Sequence, residues 1–173
     1  MIIPTLKTKR LTLRAFRAQD ARLLHLLMCE ENVLRYFPRT EPPPLERVER
    51  LVASYLKHWE ERGYGLWAVE LTANGELMGR CGVQDITETG EVEVDVLFGR
   101  RFWGKGYATE AGRESLAYGF KVTKADALVG IVHPEHEASK RVIEKLGFRM
   151  IERKEYFGMD CLRYELRRSE WKG

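Results

Sequence analysis

"EVEVDVLFGRRFWGKGYATEA", Glu91 to Ala111, runs through three kinds of local order without a break. Glu91–Phe98 alternates acidic and apolar residues, the period of a β-strand with one polar face. From Ala108 the spacing turns helical, over roughly 108–122. Between them stand Gly104 and Gly106, which have no Cβ to hold backbone N–H groups away from an anion. A helix N-terminus adds unpaired N–H groups and partial positive charge. Strand, glycine loop and helix then make a phosphate cradle that works without metal. Gly99, four residues and Gly104-Lys105 come close to a nucleotide P-loop. Gly106, however, stands where that loop needs the Ser or Thr that holds Mg²⁺.

The flanking sequence supplies the rest of a sheet. "RLTLRAF" (Arg10–Phe16) alternates as a half-buried strand, and "QDARLLHLLMCE" follows with Leu23, Leu24, Leu27 and Met28 on one helical face. After the prolines of "RTEPPP", Leu45, Val48, Val52, Tyr55, Leu56 and Trp59 align on a second helix that Gly63 can stop. "GLWAVEL" and "LMGRCGVQDI" form a hairpin around Ala73-Asn74-Gly75. Beyond the opening stretch come the strand "ALVGIV", the short helix "ASKRVIEKLG", and strands at Arg149–Tyr156 and Leu162–Leu166. The order β-α-α-β-β-β-α-β-α-β-β predicts an α/β (α+β) fold, with one mixed seven-stranded sheet and helices on both faces.

At 173 residues the expectation is one domain spanning 1–173, with an ordinary hydrophobic fraction of 44%. The net charge of +3 suits an anionic ligand, but no arginine-rich arm or recognition-helix pattern points to nucleic acid. No apolar run is long enough for a signal peptide or a membrane helix. Cys29, Cys81 and Cys161 are scattered without CxxC spacing, as expected of reduced thiols in the cytoplasm. His133 and His136 have no third ligand at a recognisable spacing, so no metal is expected.

"WGKGYATEA" together with "IVHPEHEASKRVIEKLGF" (Ile131–Phe148) resembles the GNAT superfamily of N-acetyltransferases. The nearest branch is the one typified by the ribosomal-protein N-terminal acetyltransferases RimJ and RimL. The likeness runs from "TKRLTLRAF" to "RYELRRSEW" and so covers nearly the whole chain. It implies a GNAT fold with a mostly antiparallel sheet and acetyl-CoA as co-substrate. Val96, Leu97 and Phe98 would lie along the pantetheine arm. Backbone N–H groups of Gly104, Lys105, Gly106, Tyr107, Ala108 and Thr109 would hold the pyrophosphate. His136 stands where the family usually carries an Asn that contacts pantetheine, in Pro134-Glu135-His136-Glu137-Ala138-Ser139. The acceptor is a primary amine, either a peptide N-terminus or a small molecule such as a polyamine or aminoglycoside; the alternative is a module that binds acyl-CoA without turnover. The chain would act as a monomer or homodimer.

Acetyl transfer from a thioester needs an uncharged amine, a stabilised oxyanion and a proton for the leaving thiolate. It needs no protein nucleophile, which removes the cysteines from the candidates. Two carboxylates are candidates for the base. Glu93 shares one strand face with Glu91 and Asp95, a face that an exposed sheet edge would also explain. Glu155, with Tyr156, matches the Glu-aromatic pair of the RimL-like pattern, and Ser139 matches the Ser assigned there as the acid. The segment "YFPRTEPPP" would shape the acceptor pocket.

Overall fold

The computed structural model describes residues 2–173. Its strands are β1 (Leu6–Lys7), β2 (Leu11–Arg14), β3 (Leu66–Leu71), β4 (Leu77–Asp85), β5 (Val92–Phe98), β6 (Ala127–Val132), β7 (Arg149–Tyr156) and β8 (Met159–Arg167). Helices α1 (Asp20–Met28) and α2 (Leu45–Arg62) separate β2 from β3. Helix α3 (Tyr107–Val122) follows β5, and α4 (Glu137–Lys145) follows β6. One sheet holds all the strands in the order β1-β2-β3-β4-β5-β6-β8-β7, antiparallel throughout except between β5 and β6. It is the expected mixed sheet with eight strands instead of seven. The extra strand, β1, pairs only Leu6 and Lys7 with β2, too short a stretch for any alternation to register.

The pleat sorts residues to two covered faces. Trp67 joins a cluster with Ala111, Leu116 and Phe120 of α3, while its neighbours Leu66 and Ala68 pack with Leu24 of α1 and Val52 of α2. Two local expectations change. Strand β2 is buried on both faces, because Thr12 bonds Thr72 (2.9 Å between hydroxyls) and Arg14 pairs with Asp20 and Glu70, both at 2.7 Å. Leu23 faces solvent at 47% exposure, leaving Leu24, Leu27 and Met28 to bury α1.

Two features mark the centre of the sheet. The parallel pair β5–β6 shares a single register pair, Glu93 with Val129, so the strands part into a wedge. Beside it β4 and β5 come very close. A Cβ on Gly79, whose φ is +146°, would stand 1.9 Å from the Leu97 carbonyl oxygen.

Candidate active site

The loop after β5 is built from the residues singled out in the sequence. A short 3₁₀ turn, Arg100–Phe102, is capped from outside by Glu30, whose carboxylate accepts the Arg100 N–H at 2.6 Å. The Trp103 indole N–H donates back to the Phe98 carbonyl (2.8 Å) and closes the strand end. Gly104 and Gly106 both take left-handed φ, +70° and +80°, which a Cβ would strain. Gly106 is the N-cap of α3, and no side chain caps the first N–H groups of that helix. From the other side, the Glu110 carboxylate accepts from the Thr8 hydroxyl (2.6 Å), the Arg10 backbone N–H (2.8 Å) and Arg10 Nε (2.7 Å). Arg10 Nη1 then donates to the Lys105 carbonyl (3.0 Å), and its guanidinium lies 4.3 Å from the Tyr107 ring centroid. The β1–β2 turn thus clasps the loop.

This loop floors a cavity of about 650 Å³ that extends along Val96, Leu97 and Phe98 to Ser139 on α4. Gly104, Gly106, Tyr107, Ala108, Thr109 and His136 also line it, whereas Lys105 does not, its carbonyl being held by Arg10. A Cβ on Gly104 would point into open space, and one on Gly106 would approach only Arg10 Nη2, at 3.5 Å. An elongated slot ending in uncapped N–H groups and two bare glycines fits a pantetheine arm carrying a pyrophosphate.

A second cavity, about 280 Å³, joins the first where Tyr36, His136 and Ser139 line both. Tyr36, Phe37 and Pro38 form part of its wall, so the segment "YFPRTEPPP" reaches the site as expected. The Tyr36 ring lies 4.4 Å from that of His136 and 5.1 Å from that of His133, spanning the junction. Burial, and then the charge of His133, hold His136 below the usual histidine range. Among the described residues, no group of three or more His, Cys, Asp or Glu stands close enough to hold a metal ion. Nor is any helix long and apolar enough to cross a membrane.

The acids of β5 divide by partner. β5 is a central strand, so its acidic face looks into the cleft and is not the solvated edge that alternation alone would allow. Glu91 accepts from Arg163 Nε and the Tyr156 hydroxyl, both at 2.8 Å. Asp95 pairs with buried Arg80 at 2.8 Å, and Arg80 also donates to the Tyr55 hydroxyl at 2.6 Å. Glu93 has only Gln84, its cross-strand neighbour, which donates at 3.0 Å. Among the described residues no cation lies within ion-pair distance of Glu93. Burial first, and the Asp95 charge next, push its carboxyl up to about 8.

The remaining candidates are placed as follows. Ser139 lies in the first turn of α4 and lines both cavities, without capping the helix. Glu155 stands exposed on the edge strand β7, opposite Asp160, and lines neither cavity. Its neighbour Tyr156 is buried with its hydroxyl on Glu91. Sequence reasoning did not single out Arg80 or Gln84, and read Tyr55 only as part of the apolar face of α2. Pairing across the β4–β5 hairpin puts Gln84 opposite Glu93, but a loop of several residues left that register open.

Residues 10–149 match the family described as Acetyltransferase (GNAT) domain. The uncharacterized protein YkkB of Bacillus subtilis (strain 168) is 35% identical over 147 residues, covering 82% of this chain and 83% of its own length. The spermidine N(1)-acetyltransferase of Escherichia coli (strain K12) is 30% identical, covering 79% and 71%. A solved acetyltransferase from Agrobacterium tumefaciens str. C58 superposes with a TM-score of 0.85 at 25% identity, covering 97% of this chain and 96% of that one. The GNAT family uses acetyl-CoA. A wedge between parallel strands, a glycine cradle at a helix start and a matching family profile lead to one conclusion: this chain belongs to the GNAT acetyltransferases and is an acyltransferase.

Proposed function

We propose that the chain transfers the acetyl group of acetyl-CoA directly to a primary amine, with Glu93 taking the proton from that amine. One observation supports this base above the others: Glu93 is the β5 acid without a cationic partner, buried where the β5–β6 wedge opens. A carboxyl that titrates near working pH is matched to accepting a proton from an ammonium group. Glu155, exposed and outside both cavities, has no such position.

Acetyl-CoA, when bound, supplies an acetyl group already activated as a thioester. Val96–Phe98 would hold its pantetheine arm, and the N–H groups of Gly104–Thr109 its pyrophosphate. Ser139 would give a proton to the departing thiolate, and His136 would donate a hydrogen bond in place of the more usual Asn. Burial lifts the Cys81 thiol to about 12, so it has no part as a nucleophile. Three free cysteines suit a reducing compartment such as the cytoplasm.

For the acceptor, the RimJ/RimL-like motifs favour a peptide α-amine, whose pKa of ~7.7–8.0 asks less of a weak base than lysine's ~10.4. The 30% identity to a spermidine N(1)-acetyltransferase favours a second reading, a polyamine. A panel of peptides with free or blocked N-termini, spermidine and an aminoglycoside tests both readings, followed by release of the CoA thiol. Thiol release with a free amine, and none with the blocked peptide, is the expected result. No release with any amine would refute the proposal.

A further inference from the structure

The turn between β7 and β8 carries a residue that its backbone does not favour. Tyr156 pairs with Met159, so Phe157 and Gly158 form a two-residue hairpin turn, and their φ values are +56° and +75°. Positive φ at both positions is the signature of a type I′ turn, which strongly prefers Asn or Asp before Gly. A phenylalanine there sits in the left-handed region, where its Cβ crowds the following carbonyl. Among the described residues, only Asn32 shares this conformation outside glycine.

The ring gains little in packing to offset the strain: its aromatic partner is Tyr156, tilted at 6.2 Å between centroids. Phe157 belongs to none of the buried apolar clusters and remains 36% exposed. Instead it lines the smaller cavity, the one that holds Glu93, facing the same space as Tyr36. The turn is docked as well: the Phe157 N–H donates to the Glu88 carboxylate (3.3 Å) in the loop between β4 and β5. That bond uses backbone only, so any residue except proline keeps it. Strain retained at a site wall, with one tilted ring contact in return, points to function.

We propose that Phe157 is a specificity-determining residue, whose ring forms an apolar, π-bearing wall against the carbon chain or ammonium group of the acceptor amine. This rests on the reading of the smaller cavity as the acceptor site. The ring would act on acceptor binding and leave both the cofactor slot and Glu93 untouched.

Phe157→Asn separates the two possible reasons for the phenylalanine, since Asn suits the turn and lacks the ring. Its Tm should rise by roughly 2–4 °C as the left-handed strain is relieved. With spermidine or a free-amine pentapeptide as acceptor, KM should rise about tenfold as the apolar contact is lost. Calorimetric affinity for CoA and kcat should both stay at the native level. Phe157→Tyr, which keeps ring and strain, should hold native Tm and native KM. An unchanged KM in Phe157→Asn, or a fall in its Tm, would overturn the assignment and leave the amine-transfer reading intact. Absence of turnover by the native chain with either acceptor would overturn both.

Discussion

If Glu93 takes the amine proton, its titration should govern the rate. With its carboxyl raised to about 8, only about a tenth is ionised at pH 7 and about a hundredth at pH 6. The rate at saturating acetyl-CoA should therefore climb about tenfold per unit in this range and level off above about 8. Glu93→Gln keeps the shape and can still accept the hydrogen bond from Gln84, but cannot take a proton. It should cut kcat by roughly 10²–10⁴ and flatten that limb, with CoA affinity unchanged. The acceptor amine titrates in both proteins, so the difference between the two profiles isolates the carboxyl. Glu155→Gln, at an exposed position, serves as the control and should leave rate and profile nearly native. Stability supplies a second, independent reading. A carboxyl whose folded pKa lies above its unfolded value holds a proton that the unfolded chain has released. Its contribution is complete below about 4.5 and is lost as pH rises toward about 8, at up to about 1.4 kcal/mol per unit. The native Tm should then fall with pH relative to that of Glu93→Gln across this window. A Glu93→Gln protein with native rate and native pH slope, or a silent Glu93 beside a crippled Glu155→Gln, would refute the assignment.

Gly106→Val should abolish CoA binding by calorimetry while leaving the circular dichroism spectrum native, since a branched side chain is strained at φ of +80° and would take space that a bound pyrophosphate needs. Arg80→Met strips the buried partner from Asp95 and should cost about 3–5 kcal/mol in urea unfolding, with Asp95→Asn in the same chain recovering part of it. A thiol reagent should label Cys29 quickly in the native protein and reach buried Cys81 and Cys161 only after unfolding, three thiols in all.

Alternation of period two placed the main strands well, because on most of them one face or both meet apolar neighbours. β5 shows its limit. "EVEVDV" reads the same whether its acids face water at an edge or a cleft beside a central strand, and only the pairing of distant β6 decides between them. The glycine loop between β5 and α3 was legible since its glycines are demanded locally, by φ. The exposed place of Glu155 was not. β7 is the edge strand of the sheet and Arg149–Glu155 are all exposed, so no apolar alternation within "RMIERKEY" marks which residue meets the cleft. Phe157 was equally hidden, because a Phe-Gly turn has the composition of any loop until its dihedral angles are known.

The single pair joining β5 to β6 also bears on how force and fluctuation travel through the molecule. β1–β5 form one continuous hydrogen-bonded ribbon and β6, β8 and β7 another, and the ladder between them has one rung, at Glu93 and Val129. Elsewhere along that seam, cohesion falls to α3 packed on β4 and β5 and to its contact with α4. Glu93 thus sits at the pivot of two stiff plates. A slender ligand laid along β5 would act as a splint across the joint, so amide exchange on both ribbons should slow together when the slot is filled, far beyond the residues it touches.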